Sequence, residues 1–372
     1  MSALVEKFDA WLNDAGPAAL VIREHLMPVE GPDGVLFPAT FAASEDKTFK
    51  GGYNIDEFPD GKNICLIDSV GSQANRIEPL FAKKDYAGLV PQVVVKAGHK
   101  NVNLLDAGHR AGDAIVRCSA LQQDLHDAFK AQQQGNCEPM AKIAPTSLVF
   151  GAWDSRDTQA KLPRLIASTI RAFNVRKLTR SAQYVPATEY VGHGLLDEPV
   201  EKKTKDAYAE RGFVHVPSSG SHGGVIATGG IRRDASLHLA ALRLLTAGED
   251  EKKTLALRRY VLGLAITAFT HSSSGYLRQG CNLVLDRDEA REFVEVYGDG
   301  RRENASLTHD NALAYAKLAA KEFGIDPNRK IDHQKPPDRE AMFDKKLAKE
   351  DVSNDAGDGE KKPQKMSAKK AK

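Results

Sequence analysis

The sequence predicts an α+β fold. Segments with strand character alternate with helical ones, but without the regular βαβ cadence of a doubly wound sheet. No period of roughly 20 to 50 residues recurs that would signal a repeat array. With 372 residues and 41% apolar content, the chain can bury a sizeable core.

The elements follow in order. Residues 3 to 14 suggest a short amphipathic helix and "AALVIREHLMPV" a first strand, with the Pro and Gly of "EGPDGVLFP" forcing an irregular connection. "KNICLIDS" (62 to 69) reads as a buried strand, followed by a helix "SQANRIEPLFAKK" in which Ala74, Ile77 and Phe81 repeat at helical spacing. "PQVVVKAG" is a further strand, and "AGDAIVRCSALQQDLHDAFKAQ" a long helix with Ala114, Ile115, Leu121, Leu125 and Phe129 broadly on one face. Residues 145 to 180, "PTSLVFGAWDSRDTQAKLPRLIASTIRAFNVRKLTR", read as an apolar strand, a polar turn and a helix. A loop-rich region, 186 to 224, comes next, with a flexible insertion over about 190 to 224. "GVIATGGI" is a strand leading into a helix "ASLHLAALRLL". A helix "EKKTLALRRYVLGLAITAFTH", a turn "SSSGYLRQG", a strand "CNLVL" and a last helix over 308 to 323 complete the body.

Composition narrows the function classes. The chain carries 52 basic and 50 acidic side chains, but thirteen of the basic and nine of the acidic ones lie in 329 to 372. The body, 1 to 328, has no positive excess, so binding to a polyanion requires local patches. The segment 329 to 372 has little apolar content to offset its ordering entropy and is expected to be a disordered charged tail. The longest apolar run, "YVLGLAITAF", falls far short of the roughly 20 residues of a bilayer span, and the amino-terminal stretch lacks the pattern of a secretion signal. A cytoplasmic protein with no membrane contact is expected. Cys65, Cys118, Cys137 and Cys281 never approach metal-site spacing, so no metal, cofactor or disulfide framework is expected.

One window stands out electrically. Between Lys161 and Arg180 there are six basic residues, Lys161, Arg164, Arg171, Arg176, Lys177 and Arg180, and no acid. Read as a helix, Leu162, Leu165, Ile166, Ile170 and Phe173 form its packing face, and the bases lie opposite as a phosphate-binding surface. The turn "DSVGSQANRIEPL" sets Ser72, Gln73, Asn75 and Arg76 where a helix start favours an anion, although Ser69 or Ser72 could equally be only the cap. "HRAGDA" adds His109 and Arg110, "GGIRRDAS" adds Arg232 and Arg233, and "SGYLRQG" adds Tyr276 beside Arg278, a pair suited to base stacking plus phosphate contact. Catalytic signatures are sparse. G-x-S-x-G is absent, and Asp154 and Asp157 are more simply explained as helix caps than as an acid and base pair. The alternative function is a metal-dependent ribonuclease using Asp154, Asp157 and a nearby His.

Five blocks, "NICLIDSVGSQANRIEPLF", "HRAGDAIVRCSAL", "PTSLVFGAWDSRDTQAKLPRLIASTIRAFNV", "LTRSAQYVPATEY" and "GGIRRDASLHLAALRLL", resemble in order the CRISPR-associated backbone subunit of type I-G (I-U) Cascade complexes, a branch of the RAMP superfamily. The resemblance implies an RRM-like (ferredoxin-like) palm with inserted finger and thumb elements, the thumb falling in 212 to 230. It implies a non-catalytic subunit that polymerises along crRNA, holds its sugar-phosphate backbone and leaves the bases to pair with target DNA. The implied partners are crRNA, target DNA, further copies of the chain, the large subunit, a guide-processing or handle-binding subunit and a recruited helicase-nuclease. Ser72, Gln73 and Arg76 inherit a crRNA contact from a Ser-Ser-Gln-like turn, with Gly71 standing where relatives often carry the first Ser.

Overall fold

The computed structural model describes residues 3–46, 48–272, 275–328 and 338–359. Its strands used below are β1 (Ala19–Pro28), β2 (Asn63–Asp68), β3 (Val93–Ala97), β4 (Ile166–Phe173), β5 (Val175–Tyr184), β6 (Val216–Ala227), β7 (Ile231–His238), β8 (Cys281–Leu285) and β9 (Arg339–Met342). Its helices used below are α1 (Val70–Ile77), α2 (Gln122–Gln133), α3 (Pro145–Phe150), α4 (Lys202–Glu210), α5 (Glu251–Thr270), α6 (His309–Phe323) and α7 (Lys345–Gly359). The class is α+β. The main sheet runs β8, β1, β7, β4, β2 through its centre, and these neighbours pair antiparallel. In this order β7 lies between β1 and β4, and β2 pairs with the far side of β4.

Register shows how the sheet is buried. Residues directly opposite one another share a face. On one face, Leu20, Leu237 and Ile166 form a row that joins the main core, where α5 and α6 pack. Farther along the same strands, Leu26, Ile231, Ala172 and Cys65 form a row against a second core that includes Leu36, Val225, Leu277 and Leu283. Between these apolar rows lies a polar one: Glu24, Arg233, Ile170 and Asp68. Three ionisable side chains thus sit between two hydrophobic cores, and each needs a partner there.

The two long helices close against each other through small residues. A β-carbon on Gly263 would stand 2.7 Å from Ala316 Cα, so the glycine sets how closely α5 and α6 approach. Tyr260 stacks on Phe323 with ring centroids 4.7 Å apart and donates to the Leu89 carbonyl at 2.8 Å.

Several sequence expectations are corrected. The window 161 to 180 is not a helix but Lys161–Leu162, β4 and the start of β5. Ile166 and Ile170 are four apart, a spacing that suits a helical face and, being even, also one face of a strand; the β-branched Ile166, Thr169 and Ile170 settle it as a strand. The apolar run at 145 to 150 is the helix α3, with Pro145 in its first turn and every residue buried. The long helix over 111 to 132 is broken, because the buried Ser119 hydroxyl donates to the Val116 carbonyl and accepts from the Leu121 N–H, turning the chain before α2. "GVIATGGI" divides between β6 and β7, and most of "ASLHLAALRLL" is strand to His238 followed by the short helix Leu239–Leu242. The loop-rich region contains α4 and the start of β6, whose partner across the ribbon is β5. The expected disordered tail contains β9, which pairs parallel with β3, and α7; residues 329–337 and 360–372 lie outside the described residues.

The α5–α6 contact gives a first prediction. Gly263→Val gains helix propensity but must push back the Ala316 backbone, so the net effect is a loss of about 1–3 kcal/mol. A lower urea midpoint with an unchanged m-value would confirm it.

Candidate nucleic-acid interface

Asp68 organises the first part of the site. It ends β2 with its carboxylate fully buried, and Ser69 next to it caps α1 by accepting from the Ser72 N–H at 3.2 Å. Asp68 Oδ1 accepts from Ser72 Oγ at 2.8 Å and Arg278 Nη2 at 2.9 Å, and Oδ2 from Gln73 Nε2 at 2.7 Å and Arg76 Nε at 3.1 Å. Four sequence-predicted residues therefore converge, one of them about two hundred positions away. The expected contact role needs revision for Gln73, which is buried and whose amide oxygen accepts from Ser168 at 2.9 Å. Gln73 and Ser72 hold the turn together, while Arg76 and Arg278 keep part of their side chains exposed.

Asn75 and Arg110 are likewise brought together, but inside the protein. Arg110 is 3% exposed, with φ +54, and lies 2.6 Å from Glu78 Oε2. Its two Nη groups donate to the Gly151 carbonyl at 3.2 Å and to Asn75 Oδ1 at 3.1 Å, and its guanidinium stands 5.4 Å from the Phe150 ring centroid. Burial keeps Arg110 from acting as a free phosphate donor, a correction to the sequence reading; it braces α1 against α3. Burial also pushes the Glu78 carboxyl up to about 7, against the pull of Arg110 and the Thr146 hydroxyl.

Beside this brace opens a cleft of about 670 Å³. His109, Arg110, Arg117, Arg156, Lys161 and Arg164 line it, and no carboxylate does. Trp153 at its wall is 59% exposed, with Lys161 Nζ 5.7 Å from its ring centroid. Gly151 makes the arrangement possible. Its φ is +78, and a β-carbon there would lie 2.7 Å from Arg164 Cγ, so only glycine lets Arg164 lie over the end of α3. Arg164 also reaches towards α1, its Nη2 lying 3.8 Å from where a Gly71 β-carbon would stand. Arg117 is tied on one side to Asp351 of α7 at 2.7 Å.

The remaining expected residues fall elsewhere. Arg171 and Arg232 oppose each other on β4 and β7, and His25 of β1 opposes Arg232, so the three share the other face of the sheet. Arg232 pairs with Asp234 at 2.9 Å and stands 4.9 Å over the Phe173 ring. Arg233 belongs to the buried polar row, on Glu24 at 2.6 Å. Arg176, Lys177 and Arg180 are exposed on the β5–β6 ribbon, and Tyr276 is exposed beside Arg278. The pair expected for a ribonuclease is also placed. Both Asp154 oxygens accept from their own loop, Thr158 N–H at 2.9 Å and Thr158 Oγ1 at 2.7 Å among them, and Asp157 meets His126 at 2.6 Å. Among the described residues no group of three or more His, Cys, Asp or Glu is placed to hold a metal ion. All four cysteines are buried, and burial raises the thiols of Cys65 to about 12 and Cys281 to about 11.

Sequence reasoning missed Asp68, Glu78, Trp153 and Arg117. For Asp68 a signal existed, an acid closing an apolar strand just before a capping Ser. Glu78 and Arg117 acquire their roles from contacts that no local pattern records.

Fold and site together define an α+β protein with an antiparallel central sheet and an acid-free basic cleft of the kind that receives phosphates. A model of the family described as CRISPR-associated protein GSU0053 matches residues 20–177. No curated protein matches the chain. The matched segment holds β1 from Leu20 on, β2, α1, the Asp68 carboxylate and every residue that lines the cleft. Among the described residues no helix is long and apolar enough to cross a membrane.

The buried acid yields a pH prediction. Because the Glu78 pKa is raised in the folded state, the stability it contributes is complete below its ordinary value and is lost as pH rises through about 7. Glu78→Gln should therefore flatten the decline of Tm across about pH 5 to 8. A wild-type Tm that rises over that interval would contradict the assignment.

Proposed function

We infer that the chain is a CRISPR-associated, non-catalytic RNA-binding subunit that holds a guide RNA by its sugar-phosphate backbone. The observation that carries this reading is the acid-free cleft, with Lys161, Arg164 and exposed Trp153 at its mouth, in a chain whose charges otherwise nearly cancel. Guanidinium and ammonium groups bind phosphate oxygens without reading sequence, and an exposed indole stacks on any base. Similarity to a CRISPR-associated family over the segment that builds the cleft supports the setting. The finer reading is a type I-G backbone subunit, whose copies line up along crRNA and leave the bases to target DNA, with the large subunit, a handle-binding subunit and a helicase-nuclease as further partners.

Lys161→Ala with Arg164→Ala should weaken binding to a labelled RNA oligonucleotide about tenfold, alike for all sequences, and lower the salt slope by about 0.7 for each phosphate left without its cation. Unchanged affinity and slope would refute the cleft as the binding surface. On RNAs of increasing length, multimers should grow in step. Metal-dependent RNA cleavage that disappears in Asp154→Ala would instead establish the ribonuclease.

A further inference from the structure

The buried polar row ends in a second cavity, of about 340 Å³, that shares no lining residue with the basic cleft. Its volume lies near the lower end of the roughly 300–1,000 Å³ typical of small-molecule sites. One wall is apolar, made by Ile170, Leu277 and Leu283. The opposing chemistry is cationic, from Arg233, Arg287 and Arg291. Glu24, 7% exposed, grips two of these: Arg233 Nε and Nη2 each lie 2.6 Å from its Oε2, and Arg291 Nε lies 2.7 Å from its Oε1. One carboxylate orients the guanidiniums but cannot take up the donors of three, at five apiece. His271 adds a ring kept neutral near pH 7, because burial, His309 and Lys83 all lower its pKa, and a neutral imidazole offers one donor and one acceptor.

An apolar wall, a neutral hydrogen-bonding ring and an arginine rim match the three parts of one ligand class: a flat heterocycle, its polar edge and a phosphate. We propose that this cavity is a mononucleotide-binding site. Inorganic phosphate would leave the apolar wall uncovered, and a simple apolar acid would leave the imidazole unmatched. The proposal does not depend on RNA binding in the basic cleft.

The test is titration calorimetry of the full chain with AMP, GMP, CMP and UMP, beside adenosine and inorganic phosphate. At least one mononucleotide should bind saturably, one per chain and more tightly than phosphate. Arg287→Ala with Arg291→Ala should weaken it by about tenfold, since two of the three charge-assisted donors are removed. Arg287→Ala alone, at an exposed position, should weaken it less and guards against a folding artefact. Lys161→Ala with Arg164→Ala should leave it unchanged, which separates this site from the cleft. Displacement of the mononucleotide by an RNA oligonucleotide in that last variant identifies a nucleotide within a strand as the natural occupant; no displacement identifies a free one. Absence of mononucleotide binding, equal binding of phosphate, or loss only in the cleft variant overturns the proposal.

Discussion

The carboxylate of Asp68 is the constraint on which the site depends. A fully buried anion must be met by donors or leave the folded state less stable, and here four side chains meet it, from α1 and from a strand about two hundred residues later. Its bonds fix the first turn of α1 on the end of β2. They also hold Arg76 and Arg278 side by side, two like charges that would otherwise separate. With α1 fixed, Asn75 can receive Arg110, Arg110 can reach Glu78 and the end of α3, and Gly151 there leaves room for Arg164. The cleft is thus assembled outward from one acid.

The polar row of the sheet follows the same logic. Asp68 and Glu24 stand at opposite ends of one row across four strands, each gripping arginines, with an apolar core on either side. Buried anions in this row serve as anchors for cations, Asp68 for Arg76 and Arg278 and Glu24 for Arg233 and Arg291.

How much was legible in the sequence depends on the range of the interaction. The α+β class, β1, β2, α1, α5 and α6 could all be read, because hydrophobic spacing and capping are local. The basic window was visible as a composition anomaly, and Lys161 and Arg164 do reach the cleft. Its conformation was misread, because residues four apart satisfy a helix and a strand alike. The division of the arginines into exposed and internal ones was not legible, since Arg110 and Arg76 differ only in what packs around them. Nor was β9, where main-chain pairing with β3 needs little side-chain signal beyond the buried Ala341.

That last pairing bears on how the protein keeps to itself. β3 is a run of three valines, and its two sides are occupied by β9 and by Lys100–Asn103. Were β9 to peel away, a bare valine-rich edge would present unpaired N–H and C=O groups to any extended chain nearby. β9, Arg339–Met342, thus covers an edge that would otherwise be open to strand addition.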